Sequence, residues 1–194
     1  VIQQTLFNLR AKGKQFMVIH VNMLNVRTVE DFLVKYGTSV IRPMYSTAEE
    51  YERVVSEYLA DTHLVFDRDR FSSFEEVVSL NWEPDDADVE AMFRLPYRVA
   101  DEKGIPLFII LEEFQNIMND KDYEDVLKAM EKVLAMKEKS VSFVFTGSMV
   151  NAMKYIFAEK KYFYRQVNHI PLSMIDDKDA IEHVVRGFRL NGKV

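Results

Sequence analysis

The apolar positions of this chain alternate between two periods, and the changes of period mark out its elements. Ile2, Leu6 and Leu9 recur at helical spacing, and Gly13 stands where a helix stops. Gln15–Val21 (QFMVIHV) is an apolar, β-branched run that predicts a buried strand. Thr28 and Asp31 have cap spacing ahead of Val29, Phe32 and Leu33, predicting a short helix that Gly37 ends. Ser46 with Glu49 predicts a helix over 46–60 whose apolar face is Tyr51, Val54, Val55 and Tyr58. Ser73 with Glu76 predicts another short helix. The acidic Asn81–Glu90 stretch, with Trp82 and Pro84 inside it, reads as a surface turn. From about Asp86 a helix runs toward Gly104, kinked or restarted at Pro96. Residues 38–100 therefore read as several helices and no strand, a helical insertion on a sheet-based core.

The second half is more regular. Strands are predicted at Leu107–Leu111, Val141–Phe145 and His169–Leu172. A helix over about 120–137 has the face Tyr123, Val126, Leu127, Met130, Val133 and Leu134. The next carries Met149, Ala152, Met153 and Ile156, and the last Ile181, Val184, Val185 and Phe188. Apolar strands alternating with amphipathic helices predict an α/β fold, a parallel sheet covered by helices on both faces. There is no internal repeat and no low-complexity segment.

Composition narrows the class without naming a function. At 194 residues, with 48% hydrophobic and 29% charged residues, the chain suits one soluble domain with a sizeable core. Net charge is −6, so nothing global draws it to nucleic acid or an anionic membrane. Cysteine is absent, which excludes disulfides and thiolate metal sites and is compatible with a reducing cytoplasm. Its apolar runs are too short to span a bilayer. The chain opens on Val1 instead of methionine, which predicts a fragment or a processed chain.

Candidate chemistry collects at the carboxyl ends of the predicted strands, where parallel α/β sheets bind ligands. Glu112 and Glu113 follow the 107–111 strand, Thr146-Gly147-Ser148 follows the 141–145 strand, and Asn22 follows the first. If the two acidic and hydroxyl tips belong to neighbouring strands, two carboxylates face two hydroxyls across one crevice. Elsewhere the bland readings prevail. The four histidines lack metal-ligand spacing and read as structural. Asp85, Asp86, Asp88 and Glu90 read as a solvated helix start, and the ten methionines as core filler. Lys160–Arg165 (KKYFYR) has a composition suited to stacking bases, although docking of its aromatics on the core is the simpler reading.

The order IILEEFQ, FVFTGS, YFYRQ, IPLS resembles the archaeal-type P-loop ATPases of the AAA+/STAND group, best from Ala100 to about Phe188. The resemblance implies a three-layer P-loop NTPase-like α/β fold, ATP and Mg²⁺ as ligands, and nucleotide hydrolysis driving a switch that an attached C-terminal module or protein partner reads. It implies Glu112 as the Walker B acid that holds Mg²⁺ through its water shell, and Glu113 as the acid that orients the attacking water. Gln115 matches the family's glutamine. Thr146 or Ser148 takes the polar sensor position, and Arg165 the family's arginine. Such a set suits phosphoryl transfer, which needs a metal, a positioned water and positive charge.

Three departures stand out. The first acid is glutamate where the family has aspartate, Tyr164 precedes Arg165 where the family has glycine, and neither AKGKQ nor NGKV satisfies GxxxxGK[ST]. The resemblance places the missing phosphate loop and its strand just upstream of Val1, that strand lying beside the one ending in Thr-Gly-Ser. As given, the chain is expected to bind ATP weakly or not at all. Two other functions fit the same residues. One is a non-catalytic interaction module on a degenerate ATPase scaffold, and the other a metal-dependent nuclease built on Glu112 and Glu113.

Overall fold

A computed structural model describes residues 2–136, 138–158, 161–170, 176–190 and 192. Its centre is a parallel sheet in the order β1 (Met17–Asn22), β4 (Leu107–Glu112), β5 (Val141–Phe145). The predicted strands form because each is a short, mostly apolar and β-branched or aromatic run, with one face fully apolar toward the covering helices. Alternation sends Ile19, Val21, Ile109, Leu111 and Val141 into the main core, where they are nearly solvent-free. On this side α2 (Val29–Ile41) packs on β1 and α5 (Asp86–Lys103) on β5, with α6 (Tyr123–Leu134) beside α5. The opposite face is more open: His20, Asn22 and Ser142 are exposed, and Phe108 meets the edge of Phe16 at 5.2 Å. The remaining helices are α1 (Ile2–Ala11), α3 (Ala48–Tyr58), α4 (Arg68–Phe74), α7 (Val150–Ile156) and α8 (Asp177–Leu190). The fold is α/β, a three-stranded parallel sheet flanked by helices. Among the described residues no helix is long and apolar enough to cross a membrane.

Several elements differ from the sequence expectation for identifiable reasons. Helix α2 runs through Gly37 to Ile41. A Cβ at Gly37 would lie 2.8 Å from Val78 Cγ2 and 2.9 Å from Met92 Cε, so the glycine serves close packing and does not end the helix. Thr47, not Ser46, caps α3: its hydroxyl accepts from Glu50 N, and the Glu50 carboxylate accepts from Ser46 N and Thr47 N. Helix α4 is capped by Asp67, and Ser73 lies near its end, where Glu75 turns left-handed at φ 58°. Residues 38–100 also hold a short antiparallel pair, β2 (Leu64–Val65) and β3 (Ser79–Leu80), too brief to show any alternation in sequence. Helix α5 passes through Pro96 as one element. Its N-cap is Asp85, and the expected solvated start is in fact anchored, because Asp88 is fully buried. The helix expected over 120–137 is α6, preceded by a 3₁₀ turn, Phe114–Asn119. The strand expected at His169–Leu172 is not formed at His169 and Ile170, where Ile170 is 78% exposed; Pro171 and Leu172 lie outside the described residues.

A polar knot joins α3 to the end of α5. Glu102 accepts hydrogen bonds from the Tyr45 and Tyr58 hydroxyls and pairs with Arg53 at 2.8 Å. Desolvation raises the Glu102 pKa, but these donors outweigh it and bring the carboxyl down to about 2, against an ordinary 4.5. A carboxyl depressed in the folded state stabilises above its unfolded pKa and loses that contribution as pH falls toward the folded value. The knot is therefore expected to contribute about 1–2 kcal/mol near neutrality, after discounting for solvent screening. That contribution should fade between pH 4.5 and about 2. Urea midpoints for wild type and Glu102→Gln check this: the gap between them should shrink as pH falls through that window.

Candidate functional site

The parallel register sets Asn22 beside Glu112 and Leu111 beside Phe145, bringing the three strand ends to one level. The ladder continues past the strands: Met23 N donates to Glu112 O, Thr146 N to Leu111 O, and Phe114 N to Thr146 O, each at 2.9 Å. Glu113 then adopts φ 54°, ψ 44°, a left-handed turn that takes the chain from β4 into the 3₁₀ turn. The adjacent acids part there. Glu112 stays on the open face of the sheet, whereas the Glu113 side chain reaches the tip of β5.

Glu113, Gln115 and Ser148 form one cluster. Ser148 Oγ donates to Glu113 Oε2 at 2.6 Å, and Gln115 Nε2 donates to the same oxygen at 2.7 Å. The two donors, Ser148 foremost, hold the Glu113 carboxyl below the usual range, so it is an anion at neutral pH. Gln115 is only 5% exposed, and its Oε1 is buried with no donor among the described residues. Gly147 closes over it: a Cβ there would lie 2.3 Å from Gln115 Oε1 and 2.6 Å from Met153 Sδ. Only glycine permits that approach. Thr146 is half-buried at the same tip, its backbone already committed to the ladder.

Glu112 has a partner that sequence reasoning set aside as structural. His20 Nδ1 lies 3.1 Å from Glu112 Oε1 on the exposed face of β1 and β4. Only the strand register reveals it, since the two residues are 92 positions apart.

Arg165 is exposed, at φ 58°, with its guanidinium 5.1 Å from the Tyr164 ring centroid. It makes no ion pair with Glu112 or Glu113. In the same run Phe163 is buried against Phe145 and Phe157, and Lys161 Nζ lies 3.7 Å from the Tyr155 ring centroid. Lys160 is outside the described residues. A second polar cluster, His63 with Asp85 and Asp88, has the composition of a metal site. Both Asp88 oxygens, however, already accept protein donors: Oδ1 from His63 N, and Oδ2 from His63 Nδ1 and Asp85 N.

No protein-family model matches the chain, and no curated protein matches it. A similar solved structure is the Walker-type ATPase paby2304 of Pyrococcus abyssi, with TM-score 0.54 and 13% identity. The match covers 98% of this chain and 51% of that one, so the chain spans about half the length of its neighbour. At that identity the likeness speaks for the fold: the chain is built on a P-loop ATPase-like α/β scaffold.

Proposed function

We propose that this chain carries the Walker B and sensor part of an AAA+/STAND-type ATPase core that works as a nucleotide-driven switch. One observation carries the reading: Ser148, at the tip of β5, hydrogen-bonds the Glu113 carboxylate, at the end of β4, over 2.6 Å. The donor set suits a hydrated Mg²⁺ and its water. Glu112 and Glu113 are two carboxylates on consecutive residues, and both side-chain donors to Glu113 among the described residues converge on Oε2. A bound Mg²⁺–ATP supplies the electrophilic phosphorus and the charge that the metal partly neutralises.

The roles of this chain's residues follow. Glu112 would hold the water shell of a bound Mg²⁺. Glu113 would direct a water through Oε1, while the Gln115 and Ser148 side chains fix the carboxylate through Oε2. The Thr146 hydroxyl is available to a terminal phosphate oxygen, and Arg165 offers positive charge from a neighbouring turn. These 194 residues contain no phosphate-loop motif. The reading calls for that loop on a strand beside β5, whose outer edge is unpaired among the described residues. In this sense the chain is one partial ATPase domain, with residues 38–100 as its helical insertion.

The test is Mg²⁺-dependent ATP hydrolysis by the full-length protein. Glu112→Ala is expected to raise the Mg²⁺ concentration needed for half-maximal turnover by roughly ten- to a hundredfold. A protein that neither binds nor hydrolyses ATP would leave the scaffold as a non-catalytic interaction module. Cleavage of DNA with Mg²⁺ alone would instead point to a nuclease.

A further inference from the structure

Two features outside the Glu113–Ser148 cluster complement each other. The first is a cleft of about 560 Å³ running along the outer face of α2 and bounded by α4 and β3. Val26, Val34, Phe74 and Leu80 are its apolar lining. The charges on its α2 wall are graded, with Glu30 and Asp31 at the amino end and Lys35 and Arg42 toward the carboxyl end; Arg70, Glu75 and Glu76 also line the cleft, Arg70 pairing with Glu76 at 3.1 Å. Arg42 is already paired with Glu75 at 2.7 Å. Lys35 is half-buried yet makes no ion pair or side-chain hydrogen bond among the described residues, and Glu30 likewise has none. From residue 30 to 42 the face is roughly 18 Å long.

The second feature is α8, an amphipathic helix of 14 residues none of which is buried. Its apolar stripe stands in solvent: Ile181 is 64% exposed, Val184 54% and Phe188 50%. Such a stripe on a soluble surface marks an interaction face. Its charges are also graded. The first half carries Asp177, Asp179 and Glu182 against one lysine, Lys178, and the second half carries Arg186 and Arg189. None of these forms an ion pair among the described residues. At 14 residues the helix is roughly 21 Å long, matching the cleft.

We propose that α8 of one copy of this chain docks in the α2–α4 cleft of a second copy. The helix lies antiparallel to α2, with Ile181, Val184 and Phe188 on the apolar lining. Its acidic half then meets Lys35, and its basic half meets Glu30 and Asp31. The antiparallel direction also sets the two helix dipoles head to tail. This is helix-in-groove recognition, with shape supplied by the apolar stripe and direction by the charges. The two surfaces differ, so the contact is heterologous.

Sedimentation velocity on the full chain over a concentration series tests it. Wild type is expected to self-associate reversibly, more weakly as salt rises. Phe188→Asp removes the helix side of the contact and Lys35→Glu the groove side. Each should raise the dissociation constant at least roughly tenfold, with unchanged circular dichroism because both positions lie outside the core. A heterologous contact makes a sharper demand. Mixing the two variants should restore pairing, because the Lys35→Glu chain still offers an intact α8 and the Phe188→Asp chain an intact cleft. A monomer at every concentration overturns the proposal. So does a Lys35→Glu variant that associates like wild type, the signature of α8 pairing with α8, and so does a mixture that stays monomeric.

Discussion

Replacing Glu113 with glutamine is expected to lower ATP turnover by the full-length protein roughly 10²–10⁴-fold, the range for loss of a positioned proton acceptor, while ATP affinity holds. The geometry makes this a clean substitution. Ser148 Oγ and Gln115 Nε2 both donate to Oε2 of Glu113. A glutamine whose amide oxygen takes that place keeps both hydrogen bonds and the left-handed turn. What disappears is the negative charge and the proton-accepting capacity at Oε1, the atom that the proposal assigns to water. Ser148→Ala asks the complementary question. Ser148 is the foremost cause of the depressed Glu113 pKa, so its loss should move that pKa up toward the ordinary carboxylate range. The acidic limb of the kcat–pH profile should then shift to higher pH, while Glu113→Gln abolishes the limb along with the rate. Turnover that Glu113→Gln leaves intact would remove Glu113 from catalysis, whatever its position at the strand end.

The two strand ends were legible in the sequence because they obey local rules. LFIILE and VSFVF are short apolar runs, and runs of that kind form buried parallel strands wherever helices cover them. Helix faces were legible for the same reason, and Val126, Leu127, Met130 and Val133 are indeed the buried side of α6. What local rules do not carry is register and strand order. The pairing of His20 with Glu112 exists only because β1 lies parallel to β4 with Asn22 opposite Glu112. Helix stops failed where tertiary contact overrode propensity. Gly37 looks like a terminator, yet it is a mid-helix residue that lets Val78 and Met92 approach. Capping patterns misled by repetition: Ser73 and Glu76 have the spacing of a cap, but Asp67 was already serving that helix six residues earlier. The acidic run at 85–90 looked solvated because composition cannot separate Asp86, which faces water, from Asp88, which does not.

Asp88 should accordingly be among the least replaceable surface-looking acids in the chain. Its carboxylate is fully buried and accepts from His63 N at 2.7 Å, His63 Nδ1 at 3.0 Å and Asp85 N at 2.8 Å. It is also the third residue of α5 and completes the reciprocal cap with Asp85. Asp88→Ala leaves two part-buried backbone donors, His63 N and Asp85 N, without their acceptor and removes half of that cap. The expected cost is about 3 kcal/mol, or a fall in Tm of about 6–12 °C for a chain of this size. The partner histidine adds a pH signature. The hydrogen bond to Asp88 raises the His63 pKa above its ordinary 6.5, against a smaller opposing effect of desolvation. A histidine whose folded pKa is raised stabilises fully below its unfolded pKa and loses that contribution as pH rises through the folded value. Wild-type stability should therefore decline as pH climbs above 6.5, and Asp88→Ala should flatten that slope as well as lowering the whole curve. Denaturant midpoints across that range decide it. A uniform drop with the slope intact would mean that Asp88 acts only as a cap and that His63 takes no part in holding α5 to the β2–β3 pair.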